Sequence, residues 1–490
     1  MPFTVFTLAM LLICIFCICK ETFNGFLRGF LRALVSLCVV VFSIICSVFL
    51  SRILSGVLAK TVMHNIVTEL IQNNIPMVAG LQTVSNTASF LTQALLGVCV
   101  FAFAFPILKW CTNILINVLI KQNAKSSNEA EILEAHQSKL LGTLIGLLCG
   151  MITAVSVTAP IIGTFKVLSN AIDSVNNITK NVPEEQNLLI PELDPVNQYA
   201  GDAVGGVCYM LGGEQIYRSI AVGEFEGNTL SLVDEVKSIN GISVFAADII
   251  GAFSIDNESL NFAESADGVY ENFMDSAILQ SIAIEGITEF SLSWLNGEAF
   301  LGAEIPDFND DFKPMVNELL AVAANTNEYN LSPTVKTLLN IVGVLIECDI
   351  TIETKTAELD YYALAPRLYR ALEGNSAMEN VKMKLETAAI IAIGDWFSAN
   401  LTSDQRNTLT NAIASDITQV FADVSDNDAR LNTVNQNLLA RFESLDLSLD
   451  KSLCEIFARK LITTAEANRG QISSRDVEAL LDQSRGGMVN

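Results

Sequence analysis

Histidine is almost missing from this sequence of 490 residues, which contains only His64 and His136. Serine and cysteine nucleophiles normally need a histidine as general base, so such a site is excluded from the chain after residue 166. Histidine-based zinc sites are excluded from the same region. The sequence offers no catalytic residue, and we expect a protein that is not an enzyme.

Cofactor and metal motifs are scarce as well. The sequence has no Walker-type glycine loop and no dinucleotide-binding fingerprint. The stretch 307–311, with Glu318, has the carboxylate spacing of a calcium loop, but Phe312 replaces the required glycine and Pro314 interrupts it. We interpret these acids as the start of a helix and expect no metal and no cofactor. A clustered acid pair in a cleft would instead indicate a membrane-anchored hydrolase, which stays an alternative.

Charge is distributed very unevenly along the chain. The formal net charge of −25 combines +5 in residues 1–166 with −30 in residues 167–490. Such an asymmetry predicts two environments, one membrane-like and one soluble and acidic. A strongly acidic surface repels phosphate backbones, so we expect no nucleic-acid partner.

Long apolar runs occupy the basic part of the chain. Four predicted membrane spans cover residues of about 1–19, 30–50, 89–108 and 140–165. Each is close to the length of about 20 residues that crosses a bilayer. A cleaved signal peptide is the alternative for the first span, but its flanking charges follow the apolar run rather than precede it. Residues 1–19, 33–51, 89–108 and 140–165 contain no acid or base, which argues against ion-coupled transport.

Basic residues between the spans predict the orientation. They cluster in the first and third turns, and the loop 53–88 between them has only Lys60. The clustered residues are Lys20, Arg28, Arg32, Lys109, Lys121, Lys125 and Lys139. Because cytoplasmic loops are enriched in lysine and arginine, both turns are expected in the cytoplasm. The chain is then a multi-pass protein of the cell membrane, with its N-terminus and its acidic domain outside the cytoplasm.

Glycines recur at a spacing of four in the last predicted span, at Gly142, Gly146 and Gly150. On a helix they form one smooth stripe that allows another backbone to approach closely. Gly25 and Gly29 have the same spacing and are the predicted packing partner. The alternative is that glycine is simply common in membrane helices.

The expected fold class is all-α, with a membrane domain (1–168), a linker rich in Asn, Glu and Pro (169–195), and an outer helical domain (196–490). Apolar residues of the outer domain recur at helical spacing. The predicted helices there are 197–212, 230–250, 264–282, 314–324, 333–347, 360–373, 378–399, 403–423, 428–445, 449–468 and 475–483.

A faint internal repeat is visible in the outer domain. Val236–Ile239 matches Val335–Leu338 at an offset of 99 residues, and Tyr270 and Tyr369 share that offset. Two related helical units are one interpretation. The other is that amphipathic helices resemble one another.

The opening of the chain resembles the CvpA family, which is named for colicin V production. The resemblance rests on an apolar first helix, the turn Gly25-Phe26-Leu27-Arg28-Gly29 and a long second helix. The glycine-rich helix led by Lys139 is similar to the end of the family's domain. The resemblance covers about residues 1–168 and does not extend to residues 169–490.

The resemblance implies a membrane protein with a role in toxin production or export, or in envelope maintenance. Some relatives carry a fused serine protease, which the missing histidines argue against here. We therefore expect a non-enzymatic assembly or scaffold protein that contacts the lipid bilayer and an envelope or secreted protein, with a homo-oligomer left open. The second hypothesis is a component of a channel or transporter, with Ser36, Ser43 and Ser47 as weak pore-lining candidates.

Overall fold

A computed structural model describes the chain over residues 5–60, 82–124, 139–179, 196, 199–254, 262–299, 310, 313–348, 350, 361–445 and 451–482. Within these residues the fold is helical except for one two-stranded hairpin, which confirms the predicted all-α class. The chain divides into two compact units. The first contains Met1–Gly251 and Asp267–Ala283, and the second contains Ala252–Ala266 and Ile284–Asn490.

The first helix, α1 (Val5–Leu58), bends at Gly29. The backbone of Gly29 has a φ angle of 75° and a ψ angle of 178°, a conformation that glycine adopts more readily than other residues. The bend separates a first arm (Val5–Leu27) from a second arm (Gly29–Leu58). The predicted basic turn between two helices is thus reduced to one residue.

The two arms run in opposite directions along α3 (Lys139–Thr179). Three contacts show this: Phe6 with Phe165, Gly25 with Gly142, and Ser36 with Cys149. Along the first arm the contacted position on α3 falls from 165 to 142, and along the second arm it rises again. The arms therefore form a helical hairpin against one face of α3.

Four helical segments of the described chain are long and apolar enough to cross a membrane. They are the two arms, Gln82–Val118 within α2 (Gln82–Ala124), and Lys139–Asn177 within α3. Each overlaps one predicted span, and each extends beyond it by several residues. Polar residues at the ends of the apolar runs, such as Lys20 and Glu21, are also helical, so the helices are longer than the runs.

Short elements pack on the half of the four helices that lies away from Gly29. They are α4 (Ala203–Cys208), the turn Tyr209–Gly213, α5 (Glu214–Ile220), and the antiparallel strands β1 (Val222–Phe225) and β2 (Asn228–Ser231). The fully buried Tyr217 ring lies on Gly163, where an added Cβ would be 2.2 Å from the ring. The predicted helix 197–212 is wrong at its start, because α4 begins at Ala203 after its cap Asp202, whereas its predicted end coincides with the turn at Gly212, where φ is 115°.

Burial raises the pKa of the Tyr217 phenol to about 12, compared with about 10 for an exposed tyrosine. Because the unfolded chain loses the Tyr217 proton at a lower pH than the folded chain, the free energy of unfolding is highest below about pH 10 and falls as the pH rises towards 12. We expect the thermal midpoint of the purified protein in detergent to fall over this interval. Tyr217→Phe should fall less steeply, and identical pH profiles for the two proteins would contradict the assignment.

The chain after the strands forms α6 (Leu232–Ser254), α7 (Phe262–Met274) and α8 (Ala277–Leu295). The structure groups Met1–Gly251 in one unit, so residues 199–251, which lie within the predicted outer domain, are grouped with the membrane helices. The predicted linker is also shorter, because α3 runs on to Thr179. Polar residues such as Ser169 and Asn170 continue the helix there.

The predicted helix 264–282 is interrupted between α7 and α8. The Ser276 hydroxyl accepts a hydrogen bond from the Leu279 N–H at 3.2 Å and so caps α8. It donates to Glu235 Oε2 of α6 at 2.6 Å, and Glu235 is buried. This capped junction fixes α8 on the start of α6.

The second unit contains helices that match the predicted ones within a few residues at most ends. They are α9 (Lys313–Ala323), α10 (Leu331–Glu347), α11 (Tyr361–Ala371), α12 (Glu379–Asn400), α13 (Ser403–Asp423), α14 (Asn427–Ser444), α15 (Lys451–Ala467) and α16 (Ser474–Leu481). Helix α12 joins two apolar clusters, since Leu385 belongs to one and Phe397 to the other. The helices predicted to begin at 403 and 475 begin at Ser403 and Ser474, where capping boxes at Thr402 and Ser473 fix the starts.

The internal repeat stays a prediction. Ser276 bonds to Glu235, and Asn375, 99 residues after Ser276, donates to Thr337 Oγ1 at 2.9 Å. The two contacts are not equivalent, because Glu235 corresponds to Thr334 at that offset.

Some sequence predictions lie outside the described residues. These are residues 1–4, the loop residues 61–81, the basic segment 125–138, and the linker residues 180–195. The stretch 307–309 of the calcium-like loop is outside them as well. Asp310 lies 3.2 Å from Lys313, and Glu318 lies 3.9 Å from Lys384, so each carboxylate faces a lysine.

Candidate functional site: a buried ion pair held by the glycine stripe

The glycines of the stripe lie directly against the first arm of α1. A Cβ added to Gly142 would be 2.5 Å from the Gly25 carbonyl oxygen, and one added to Gly25 would be 2.2 Å from the Gly142 oxygen. Gly29 lies beside Gly142, and Gly150 faces the backbone of Ile18. The structure therefore brings the five predicted glycines together, within one chain, at a contact too close for any side chain.

Gly146 brings a charged residue to this contact. Its Cβ would lie 2.5 Å from the backbone oxygen of Glu21. The Glu21 side chain is 8% exposed, and its Oε1 accepts a hydrogen bond from Lys109 Nζ at 2.8 Å. Lys109 lies on α2 and is 13% exposed. An ion pair is thus buried where three of the four apolar segments meet.

Hydroxyl and thiol groups complete the surroundings of the ion pair. Lys109 Nζ also donates to Thr153 Oγ1 at 2.8 Å, and Thr153 donates to the Cys149 carbonyl oxygen. The Cys149 thiol lies 3.8 Å from the Ser36 hydroxyl on the second arm. We call Glu21, Ser36, Lys109, Cys149 and Thr153 the polar cluster. It takes at least one residue from each of the four apolar segments.

The sequence prediction missed this cluster. Its first span ended at Cys19 and its third at Leu108, so Glu21 and Lys109 were placed beyond the ends of apolar runs. In the structure both helices continue through these positions, and the two side chains pair inside the bundle. The only signal in the sequence was one lone acid and one lone base, each directly after a span.

An ion pair in this setting has a limited set of chemical roles. Removing two charges from water is expensive, and mutual attraction with further hydrogen bonds offsets that expense only in good geometry. The cluster can clamp α2 and α3 to the first arm, or it can accept and release a charge as helices move. No group of three or more potential metal ligands occurs among the described residues.

The predicted topology residues lie near the bend. Arg28 precedes Gly29 in the helix, and Arg32 follows it on the exposed side of the second arm. Lys139, at the start of α3, holds its Nζ 5.6 Å from the centre of the Phe26 ring. Basic residues of two predicted cytoplasmic turns thus lie at one end of the bundle.

The serine candidates of the second arm face the interior. Ser43 and Ser47 are fully buried, and the Ser47 hydroxyl donates to the Ser43 carbonyl oxygen at 2.6 Å. Such back-bonding satisfies a hydroxyl within its own helix. Within one chain, these residues pack at a helix contact.

No protein-family model, no curated protein and no solved structure matches this chain. The polar cluster, the packing around it and the distribution of charge are therefore the basis for assigning a function.

Proposed function

We propose that this chain is an integral protein of the cell membrane that acts without catalysis, as an assembly or scaffold protein of the envelope. The observation that carries the proposal is the filled interior of the membrane bundle. Its buried core contains the large side chains of Phe90, Phe101, Phe105 and Tyr217. The CvpA-like opening adds a role in toxin production or export, or in envelope maintenance.

The ends of the bundle support the same interpretation. At one end the glycine contact presses the first arm onto α3 without space for side chains. At the other, the Ile220 carbonyl oxygen lies where a Cβ on Gly97 would be 2.4 Å away, and Gly223 lies on Phe90. A densely packed bundle suits an anchor, because close packing resists opening.

The proposed orientation follows from the basic residues near Gly29. With that end in the cytoplasm, the N-terminus and the acidic residues after α3 lie outside the cell membrane. Reporter fusions after residue 130 and after residue 300 should then report opposite sides. A cytoplasmic signal from the fusion after residue 300 would contradict both the orientation and the external partner.

The proposed partner is an envelope or secreted protein with a basic surface, since residues 167–490 carry a net charge of −30. Photocrosslinking of the full chain in its own membranes, followed by purification and mass spectrometry, should enrich one protein. The capture should weaken as ionic strength rises, because exposed charges are screened. Equal recovery with a variant that ends after residue 179 would contradict a partner bound to the acidic part.

A second candidate function is a component of a channel or transporter, and the buried Glu21–Lys109 pair favours it. Ionisable residues inside a membrane bundle commonly mark transport paths. Purified protein in vesicles should then conduct ions or take up solute, and Lys109→Met should abolish the flux. Vesicles that stay tight with the native protein would reject transport and leave the pair as a clamp.

A further inference from the structure

The segment Asp202–Ile220 carries an apolar tip whose side chains point away from the protein. Val207, Met210 and Leu211 are 57%, 82% and 59% exposed. The run from Ala203 to Gly213 contains no charged residue. Exposed apolar residues clustered in this way usually mark a contact with a membrane or another protein.

Contacts with the membrane helices fix the depth of this tip. Cys208 Sγ lies 3.6 Å from Cys14 Sγ on the first arm. Cys14 is nine residues after Val5, which corresponds to about 13 Å along a helix. Its neighbours Leu12, Ile15 and Phe16 are exposed on the same arm. The tip therefore lies level with the middle of an apolar segment rather than with its end.

The base of the segment lies at a different level. Tyr217 packs on Gly163, near the end of the apolar run 140–165, and Lys166 directly follows that run, with its Nζ 4.9 Å from the centre of the Tyr209 ring. Arg218 pairs with Asp234 at 2.6 Å, so charges collect where the segment leaves the bundle. Tyrosine and lysine are typical of the boundary between lipid and water.

The backbone of the tip is suited to an apolar environment. The Tyr209 N–H donates to the carbonyl oxygens of Gly205 and Gly206, and the Glu214 N–H donates to the Tyr209 oxygen. The turn at Gly212 thus keeps hydrogen bonds across the tip. Non-helical backbone at membrane depth is tolerated when its polar groups are satisfied within the protein.

We propose that Asp202–Ile220 is a re-entrant segment, whose tip at Val207, Met210 and Leu211 contacts the acyl chains of the bilayer. The occupant is lipid because the tip is apolar and exposed at the depth of Cys14, which lies within a helical segment long and apolar enough to cross a membrane. The segment enters and leaves on the side that carries Lys166 and Arg218. This inference goes beyond the proposed scaffold role and holds for a transporter equally.

Site-specific photocrosslinking tests the proposal. The full chain carries benzoylphenylalanine at Met210, in nanodiscs of phosphatidylethanolamine and phosphatidylglycerol. Phe16, exposed on the first arm, is the lipid-facing control, and Asn228, exposed at the start of β2 in the same unit, is the aqueous control. We expect phospholipid adducts at Met210 in a yield within about threefold of that at Phe16.

Three results would overturn the inference. One is a yield at Met210 as low as that at Asn228, while Phe16 still labels. Another is a crosslinked dimer through Met210, which would make a second copy the occupant. The third is a crosslink from Met210 to residues of the same chain in place of lipid. Benzoylphenylalanine at Leu211 repeats the test and controls for a local folding defect at Met210.

Discussion

Lys109→Met should destabilise the membrane unit by about 3–5 kcal/mol, the usual effect of removing one partner from a buried ion pair. The lysine Nζ bonds both Glu21 and Thr153 at 2.8 Å. Methionine fills much of the same volume, so the main loss is electrostatic. The variant leaves a carboxylate enclosed by apolar helices without a cation.

The double variant Glu21→Gln with Lys109→Met separates a clamp from a general packing defect. Replacing both charges of a buried pair is often close to neutral, so most of the lost stability should return. Unfolding of the purified protein by a denaturing detergent measures all four members of the cycle. Additive losses would show that the two side chains do not act as a pair.

Lys60→Met is the matched control for this experiment. Lys60 lies 3.9 Å from Glu224, and both side chains are largely exposed. Exposed pairs contribute between about 0 and 1 kcal/mol, so the same substitution should have little effect there. A similar loss for both lysine variants would show that burial does not decide the energy.

Gly146→Val should prevent the first arm from reaching α3. An added Cβ at Gly146 would lie 2.5 Å from the Glu21 oxygen and 3.1 Å from the Cα atoms of Thr22 and Gly25. All three are backbone atoms, so a whole helix must move. Overpacking typically costs about 1–3 kcal/mol, and here displacement of Glu21 also weakens its bond to Lys109. We expect loss of most of the folded protein from the membrane.

Gly206→Ala is the control for the glycine substitution, because nothing lies within 4 Å of its added Cβ. It should change stability by less than about 1 kcal/mol, the difference in helix propensity between the two residues.

Combining Gly146→Ala with Lys109→Met measures the coupling between the glycine contact and the ion pair. If Gly146 acts by positioning Glu21, the combined loss will be smaller than the sum. A fully additive result would assign Gly146 to packing alone.

Several features of the fold follow from residues that are close together in the chain. Uncharged runs predicted the four apolar helices, and the spacing of Gly142, Gly146 and Gly150 predicted a close contact. The starts predicted at 403 and 475 are met within one residue, because the side chains of Thr402 and Ser473 bond the free N–H groups of the first turn. All of these are local signals, set by neighbours a few residues apart.

Other features depended on residues far apart in the chain. The segment Ala203–Ile220 packs where the chain folds back onto Gly163 and Cys14. The sequence prediction had the turn at Gly212 but not the helix α5 that follows it. It also assigned residues 199–251 to the outer domain, whereas the structure groups them with the membrane helices that precede them.

The helical class, the apolar segments and the glycine contact surface are encoded locally in the sequence, because hydrophobic periodicity and residue size act over short distances. The meeting of Glu21 with Lys109 arises only in the packed bundle. These two residues are 88 positions apart, and each follows a predicted span as an ordinary flanking charge. Burial depends on which helices surround a residue, so pairing of two lone charges emerges only once the helices are packed together.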